Sequence, residues 1–90
     1  FRGMVKLSHL NLSSNNLSII SSHLFADTNS LLLLDLSNNQ LSLFSDFLFK
    51  NVFNLFILNL NSNKLQVIKN TTFIGLENLK SLNLANNNIE

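Results

Sequence analysis

Two histidines, five acidic side chains and a complete lack of cysteine bound the reactive chemistry of this 90-residue chain. A transition-metal site needs His, Cys or carboxylate ligands at close spacing, and no cysteine or acidic cluster stands that way beside His9 or His23. Acid–base catalysis needs two groups poised against each other in a pocket. Asp27, Asp35, Asp46, Glu77 and Glu90 never pair at a recurring position. Serines are abundant, but without a Gly-x-Ser-x-Gly turn or a glycine-rich phosphate loop. We therefore expect no catalytic residue, no metal and no cofactor in this chain.

One modification chemistry is written in the residues. Asn11-Leu12-Ser13, Asn16-Leu17-Ser18 and Asn70-Thr71-Thr72 each match the acceptor pattern for an N-linked glycan. A chain this rich in Asn, Ser and Thr produces about two or three such matches by chance. Asn70 is the best-placed acceptor, Asn16 sits beside a buried column, and a glycan on Asn11 would block the face described below.

Charge narrows the partners. Six basic residues against five acidic ones leave a formal net charge of +1. Arg2, Lys6, Lys50, Lys64, Lys69 and Lys80 are scattered, so we expect neither nucleic acid nor an anionic membrane as partner. Spanning a bilayer takes about 20 apolar residues, whereas the run Leu31–Leu34 is ended by Asp35. The chain starts and stops within a repeat and opens on Phe1, so we expect a slice of a longer array whose caps lie elsewhere.

The elements that must position these groups follow from one period. Leu7, Leu31, Leu55 and Leu79 are evenly spaced, 31 − 7 = 24 residues. On that period the chain reads Leu7-Leu10-Leu12-Asn15-Leu17-Ile20-Phe25, then Leu31-Leu34-Leu36-Asn39-Leu41-Phe44-Phe49-Val52. A third copy runs Leu55-Leu58-Leu60-Asn63-Leu65-Ile68-Phe73-Leu76, and a fourth begins Leu79-Leu82-Leu84-Asn87-Ile89. Residues 1–6 form the tail of an earlier copy, 7–30, 31–54 and 55–78 are full repeats, and 79–90 is a partial one. Each unit must bury its apolar face on its neighbours, so one continuous array is expected.

Strict alternation at the end of Leu-x-x-Leu-x-Leu predicts a strand of about 3–5 residues with leucines on one side. The remaining residues show neither a two-residue nor a helical period, which suits an irregular return path. Successive coils then set their strands in parallel about 4.8 Å apart. Asn15, Asn39, Asn63 and Asn87 fall where the strand turns, and a buried carboxamide there can bond the turn backbones of adjacent coils. Phe1, Phe25, Phe49 and Phe73 should stack as a second column on the convex side. Thr28 breaks the apolar frame kept by Val52 and Leu76, so the first full coil should be the loosest.

The frame L-x-x-L-x-L-x-x-N-x-L-x-x-[IF]-x-x-x-x-F-x-x-[VL] resembles the leucine-rich repeat, in its typical 24-residue subtype, over the whole chain. That resemblance implies an α/β-type solenoid: a right-handed coil with a short parallel β-sheet on the concave face and irregular or 3₁₀ convex segments. It also implies a setting. Repeats of this subtype characterise animal extracellular proteins such as Toll-like receptors, adhesion receptors and matrix proteins.

Function should then reside on the strand face. Its outward positions are His9, Asn11 and Ser13; Leu33, Asp35 and Ser37; Ile57, Asn59 and Asn61; and Ser81, Asn83 and Ala85. Leu32, Leu33, Phe56 and Ile57 occupy matching positions in neighbouring coils and should form one apolar patch, either packing at the sheet flank or contacting a partner. We expect recognition of a protein or glycan ligand by a segment of an extracellular receptor ectodomain, Toll-like in kind, whose full-length form could pair as a homo- or heterodimer. The alternatives are a secreted or cell-surface adhesion or matrix protein without signalling, and an intracellular scaffold.

Overall fold

Each Leu-x-Leu alternation becomes a three-residue strand in the computed structural model, which describes residues 3–89. The strands are β1 (His9–Asn11), β2 (Leu33–Asp35), β3 (Ile57–Asn59) and β4 (Ser81–Asn83). They form one open sheet in the order β1-β2-β3-β4, every pair parallel. The register pairs His9 with Leu33, Leu33 with Ile57 and Ile57 with Ser81, which is the sequence period itself. The return segments are turns and extended chain, with no helix among the described residues. The convex side is therefore the irregular form of the expected solenoid.

The backbone ladder outlasts the strands. Leu12, Leu36 and Leu60 donate N–H bonds of 2.8–2.9 Å to Asp35, Asn59 and Asn83 of the next coil. Ahead of the strands, Leu32, Phe56 and Lys80 donate back to Ser8, Leu32 and Phe56 at 2.8–2.9 Å. The turn after each strand passes through a left-handed residue at the same repeat position: Ser14 (φ 58°), Asn38 (55°), Ser62 (60°) and Asn86 (55°). Serine and asparagine suit that place, since short polar side chains tolerate positive φ with local hydrogen bonding.

Burial is densest where a coil has neighbours on both sides. Leu34 and Leu58 are fully buried, yet Leu82, at the same repeat position in β4, is 39% exposed. The phenylalanine column is continuous through the described residues: Phe25 and Phe49 stack with ring centres 6.0 Å apart, and Phe49 and Phe73 at 6.2 Å. Phe44 meets Phe49 edge-on at 5.6 Å. Phe1, expected at the head of this column, lies outside the described residues.

Thr28 does not loosen its coil in the expected way. It is fully buried at the place of Val52, and its hydroxyl donates to the Phe25 carbonyl at 3.2 Å. The polar atom is satisfied within the turn, so the site keeps a side chain close in shape to valine.

Candidate functional site

The outer sheet face is built from two residues per strand, one on either side of a leucine directed into the core. The first row is His9, Leu33, Ile57 and Ser81; the second is Asn11, Asp35, Asn59 and Asn83. Each residue of the second row has one side-chain oxygen at work inside the fold. Asn11 Oδ1 accepts the Ser13 N–H at 2.9 Å, Asp35 Oδ1 that of Ser37 at 2.9 Å, Asn59 Oδ1 that of Asn61 at 3.2 Å, and Asn83 Oδ1 that of Ala85 at 3.0 Å. What remains for a ligand is the amide Nδ2 of three asparagines and the second carboxylate oxygen of Asp35. The face is thus rich in donors, with one negative charge near its middle.

Ser37 corrects the expected list of outward positions. It is 5% exposed, because the chain turns at Asn38 immediately after it and coils pack on both sides. Its equivalents Ser13 and Asn61 are half-buried, and Asn61 Nδ2 donates to Ser62 Oγ at 3.2 Å. His9, Asn11, Ser81 and Asn83 are exposed, and Ser8 Oγ lies 2.9 Å from His9 Nδ1.

The apolar residues come together in register. Leu32 and Phe56 are 45% and 49% exposed and joined by the Phe56 N–H bond to the Leu32 carbonyl at 2.8 Å. Leu33 and Ile57, half-buried, pair beside them. Ser8 precedes and Lys80 follows in the same column, so the patch has a polar rim and a basic edge. Ile19, Leu43 and Val67 form a further exposed apolar column, at 83%, 60% and 61%, that sequence reading passed over. Its signal was available in the shared spacing, 43 − 19 = 67 − 43 = 24.

Behind the face, the asparagine column closes the turn. Asn39 Oδ1 accepts N–H bonds from Asn15 and Leu17, each 2.9 Å, while its Nδ2 donates to Leu12, Leu36 and Ser37 carbonyls at 3.0–3.1 Å. Asn63 and Asn87 repeat the pattern against Leu41 and Leu65. Asn15, in the first full coil, donates to Leu12 and Ser13 carbonyls. A second ladder was not anticipated: Ser30 Oγ donates to the Leu7 carbonyl, Asn54 Nδ2 to Asn29 and Asn78 Nδ2 to Phe53, at 2.7–3.0 Å. The cue was a small polar residue immediately before Leu31, Leu55 and Leu79.

The convex side carries the one ion pair among the described residues, Lys69 Nζ to Asp46 Oδ1 at 2.8 Å. Hydrogen bonds from Lys69 and then Thr71 hold the Asp46 carboxyl below the usual carboxylate range. The next residue, Phe47, is 44% exposed with φ +59°. For a bulky side chain that conformation costs about 1–2 kcal/mol. Asn70 and Asn16 are exposed, the latter at φ +59°. Among the described residues no three His, Cys, Asp or Glu side chains converge as metal ligands, and no helix is long and apolar enough to cross a membrane.

The leucine rich repeat family model matches residues 1–41 and again 34–89. No curated protein matches. Among solved structures, the Drosophila Toll–Spatzle complex in its glycosylated form is similar over 97% of this chain, at 36% identity and TM-score 0.93. The complex of TLR13 with ssRNA13 is similar over 93%, at 31% identity and TM-score 0.90. This chain spans 12% of the length of each of those chains.

Proposed function

The chain belongs to the leucine-rich repeat family, and from that premise we propose that it is a ligand-recognition segment of a Toll-like receptor ectodomain, facing the extracellular side. The observation that carries the reading is the Leu32–Phe56 pair, about half exposed at the edge of a sheet face that is otherwise polar. The repeat frame does not require apolar residues there, since Ser8 and Lys80 hold the same place in the flanking coils. An apolar centre inside a polar rim is the anatomy of a protein–protein contact.

A protein ligand fits this face better than a nucleic acid. Affinity for phosphate backbones comes from clustered Lys and Arg, and the four-strand face offers Lys80 at one edge against Asp35 in the middle. One similar structure is a complex with a protein, Spatzle, and the other with single-stranded RNA, so the family frame admits both classes. Charge favours the first here. Binding without catalysis is part of the proposal, supported by the openness of the sheet face.

The test is site-directed photo-crosslinking on the full-length protein displayed by cells. A crosslinker at position 56 should capture one protein that the same group at Ser45, on the convex side, does not. Leu33→Ser with Ile57→Ser should abolish that capture. Equal capture from both positions would sink the contact. Failure of a membrane-impermeant label to reach the protein on intact cells would refute the extracellular placement.

A further inference from the structure

Asp35 is where the second row of the sheet face departs from its own pattern. The other three coils place asparagine there, Asn11, Asn59 and Asn83, and the fold asks the same of all four. One side-chain oxygen accepts the N–H two residues on, from Ser13, Ser37, Asn61 or Ala85, at 2.9–3.2 Å. An amide oxygen serves that bond as well as a carboxylate does, so nothing in the turn requires the charge. Yet Asp35 sets a carboxylate, half-buried, in register between two neutral amides. The ion pair among the described residues, Lys69 with Asp46, lies on the convex side. His9 is one coil and one row away, with Ser8 Oγ 2.9 Å from its Nδ1, and Lys80 belongs to the coil two further on. A partly desolvated carboxylate without a cation is unfavourable in the free protein and becomes favourable once a partner supplies one.

The second departure lies beside the first. Leu33 stands two residues before Asp35 on β2 and on the same face, about 6.6 Å away at 3.3 Å per residue. It pairs in register with Ile57, where the outer coils place His9 and Ser81. Leu32 and Phe56 continue the apolar surface toward the sheet edge. An apolar spot and an anion at this separation match the side-chain repeat of an extended chain, whose residues i and i+2 share a face at the same distance. We propose that the face takes an extended segment of a protein partner. In that segment an apolar side chain, seated on Leu33 and Ile57, stands two positions from a lysine or arginine paired with the second oxygen of Asp35. The inference rests on the ligand-recognition reading above and names the chemistry of its ligand. The Nδ2 groups of Asn11 and Asn59 flank the carboxylate and can donate to backbone carbonyls of the same segment, which fixes its place along the row. Asp35 then sets specificity through its charge, and the apolar residues supply contact area.

The probes are two disulfide-closed β-hairpin peptides, coupled in many copies to fluorescent beads and applied to cells that display the full-length protein. One carries Leu-x-Lys on its outer face and the other Leu-x-Gln, all else alike. At low salt, retention should favour the lysine hairpin about three- to tenfold, the scale of one partly buried charge pair. The preference should shrink at high salt. Asp35→Asn installs the residue that the other coils use and keeps the Ser37 bond. It should abolish the preference while leaving the thermal midpoint and the retention of the glutamine hairpin unchanged. Leu33→Ser with Ile57→Ser should remove retention of both hairpins. Equal retention of the two by wild type, or a preference that survives Asp35→Asn, would overturn the cation pairing. A lowered midpoint in Asp35→Asn would overturn the premise that the fold does not need the charge. Retention of neither hairpin, with one protein still captured from position 56, would overturn this inference alone; loss of that capture as well would overturn ligand recognition with it.

Discussion

Removing the Asn39 carboxamide should uncouple the first full coil from the second, and the cost can be worked out bond by bond. Asn39→Ala deletes five hydrogen bonds of a side chain that is 4% exposed. Its three carbonyl partners are not orphaned. Leu12 O keeps the Asn15 Nδ2 bond, Leu36 O keeps Asn63 Nδ2, and Ser37 O keeps the Ser14 N–H. The loss therefore falls on two donors, the N–H groups of Asn15 and Leu17. Each unsatisfied buried donor costs about 1–3 kcal/mol. Asn15 is exposed and water can reach it, which places the total at about 2–4 kcal/mol. Native-state hydrogen exchange on the protein isolates the two amides. Each should exchange about 5- to 150-fold faster, the equivalent of 1–3 kcal/mol of lost protection. The Leu41 and Leu65 amides, which donate to Asn63 and Asn87, should change little. Asn29→Ala, at an exposed asparagine whose side chain joins neither ladder and whose carbonyl the substitution keeps, is the control and should stay within about 0.5 kcal/mol. Unchanged exchange at Asn15 and Leu17 in the Asn39 variant would refute the idea that this carboxamide closes the turn.

Other substitutions test the convex side. A Cβ at Gly75 would lie 2.7 Å from Lys50 Cα and 2.9 Å from its carbonyl oxygen, at φ +101°. Gly75→Ala should cost about 2–4 kcal/mol from overpacking plus backbone strain, and an unaltered thermal midpoint would show that the two coils do not touch there. Phe49→Ala removes a fully buried ring stacked on both sides and should cost about 3–5 kcal/mol, more than Phe73→Ala at its half-buried site. Equal losses in denaturant titrations would contradict the column. The folded Asp46 carboxyl titrates below its ordinary 3.8, so its contribution is present above that value and lost as pH falls through the lower folded one. Wild type and Asp46→Asn should thus differ in melting temperature near neutrality and converge in acid; a difference that persists in acid argues against the ion pair.

The 24-residue spacing made the strands legible because a solenoid has one solution for every unit. Leu10, Leu34, Leu58 and Leu82 had to face one side, and their neighbours the other. The conserved chemistry of Asn39 and Asn63 within the chain announced a turn in the same way. Ser37 was misread because alternation was carried two residues past the strand, into a corner where Asn38 reverses the chain. The Ser30–Asn54–Asn78 ladder escaped notice since three different contexts of small polar residues look like ordinary surface. The positive φ of Phe47 could not be read from its column: His23 and Thr71, its equivalents, do not share it.

What the sequence determined by itself is the repeated part of this protein: four parallel strands in a 24-residue register, the leucine core, and the asparagine and phenylalanine columns. Those features are periodic, and each coil can satisfy its buried groups only through the same positions of its neighbours. Tertiary structure alone decided the features that depart from the period. It set which side chains stand half-exposed as a patch, which outward serine is buried, and that Phe47 stands exposed with its backbone in the left-handed region. Exposure is a property of the stack, because a side chain's contacts come from coils 24 residues away on either side, and no single repeat contains them.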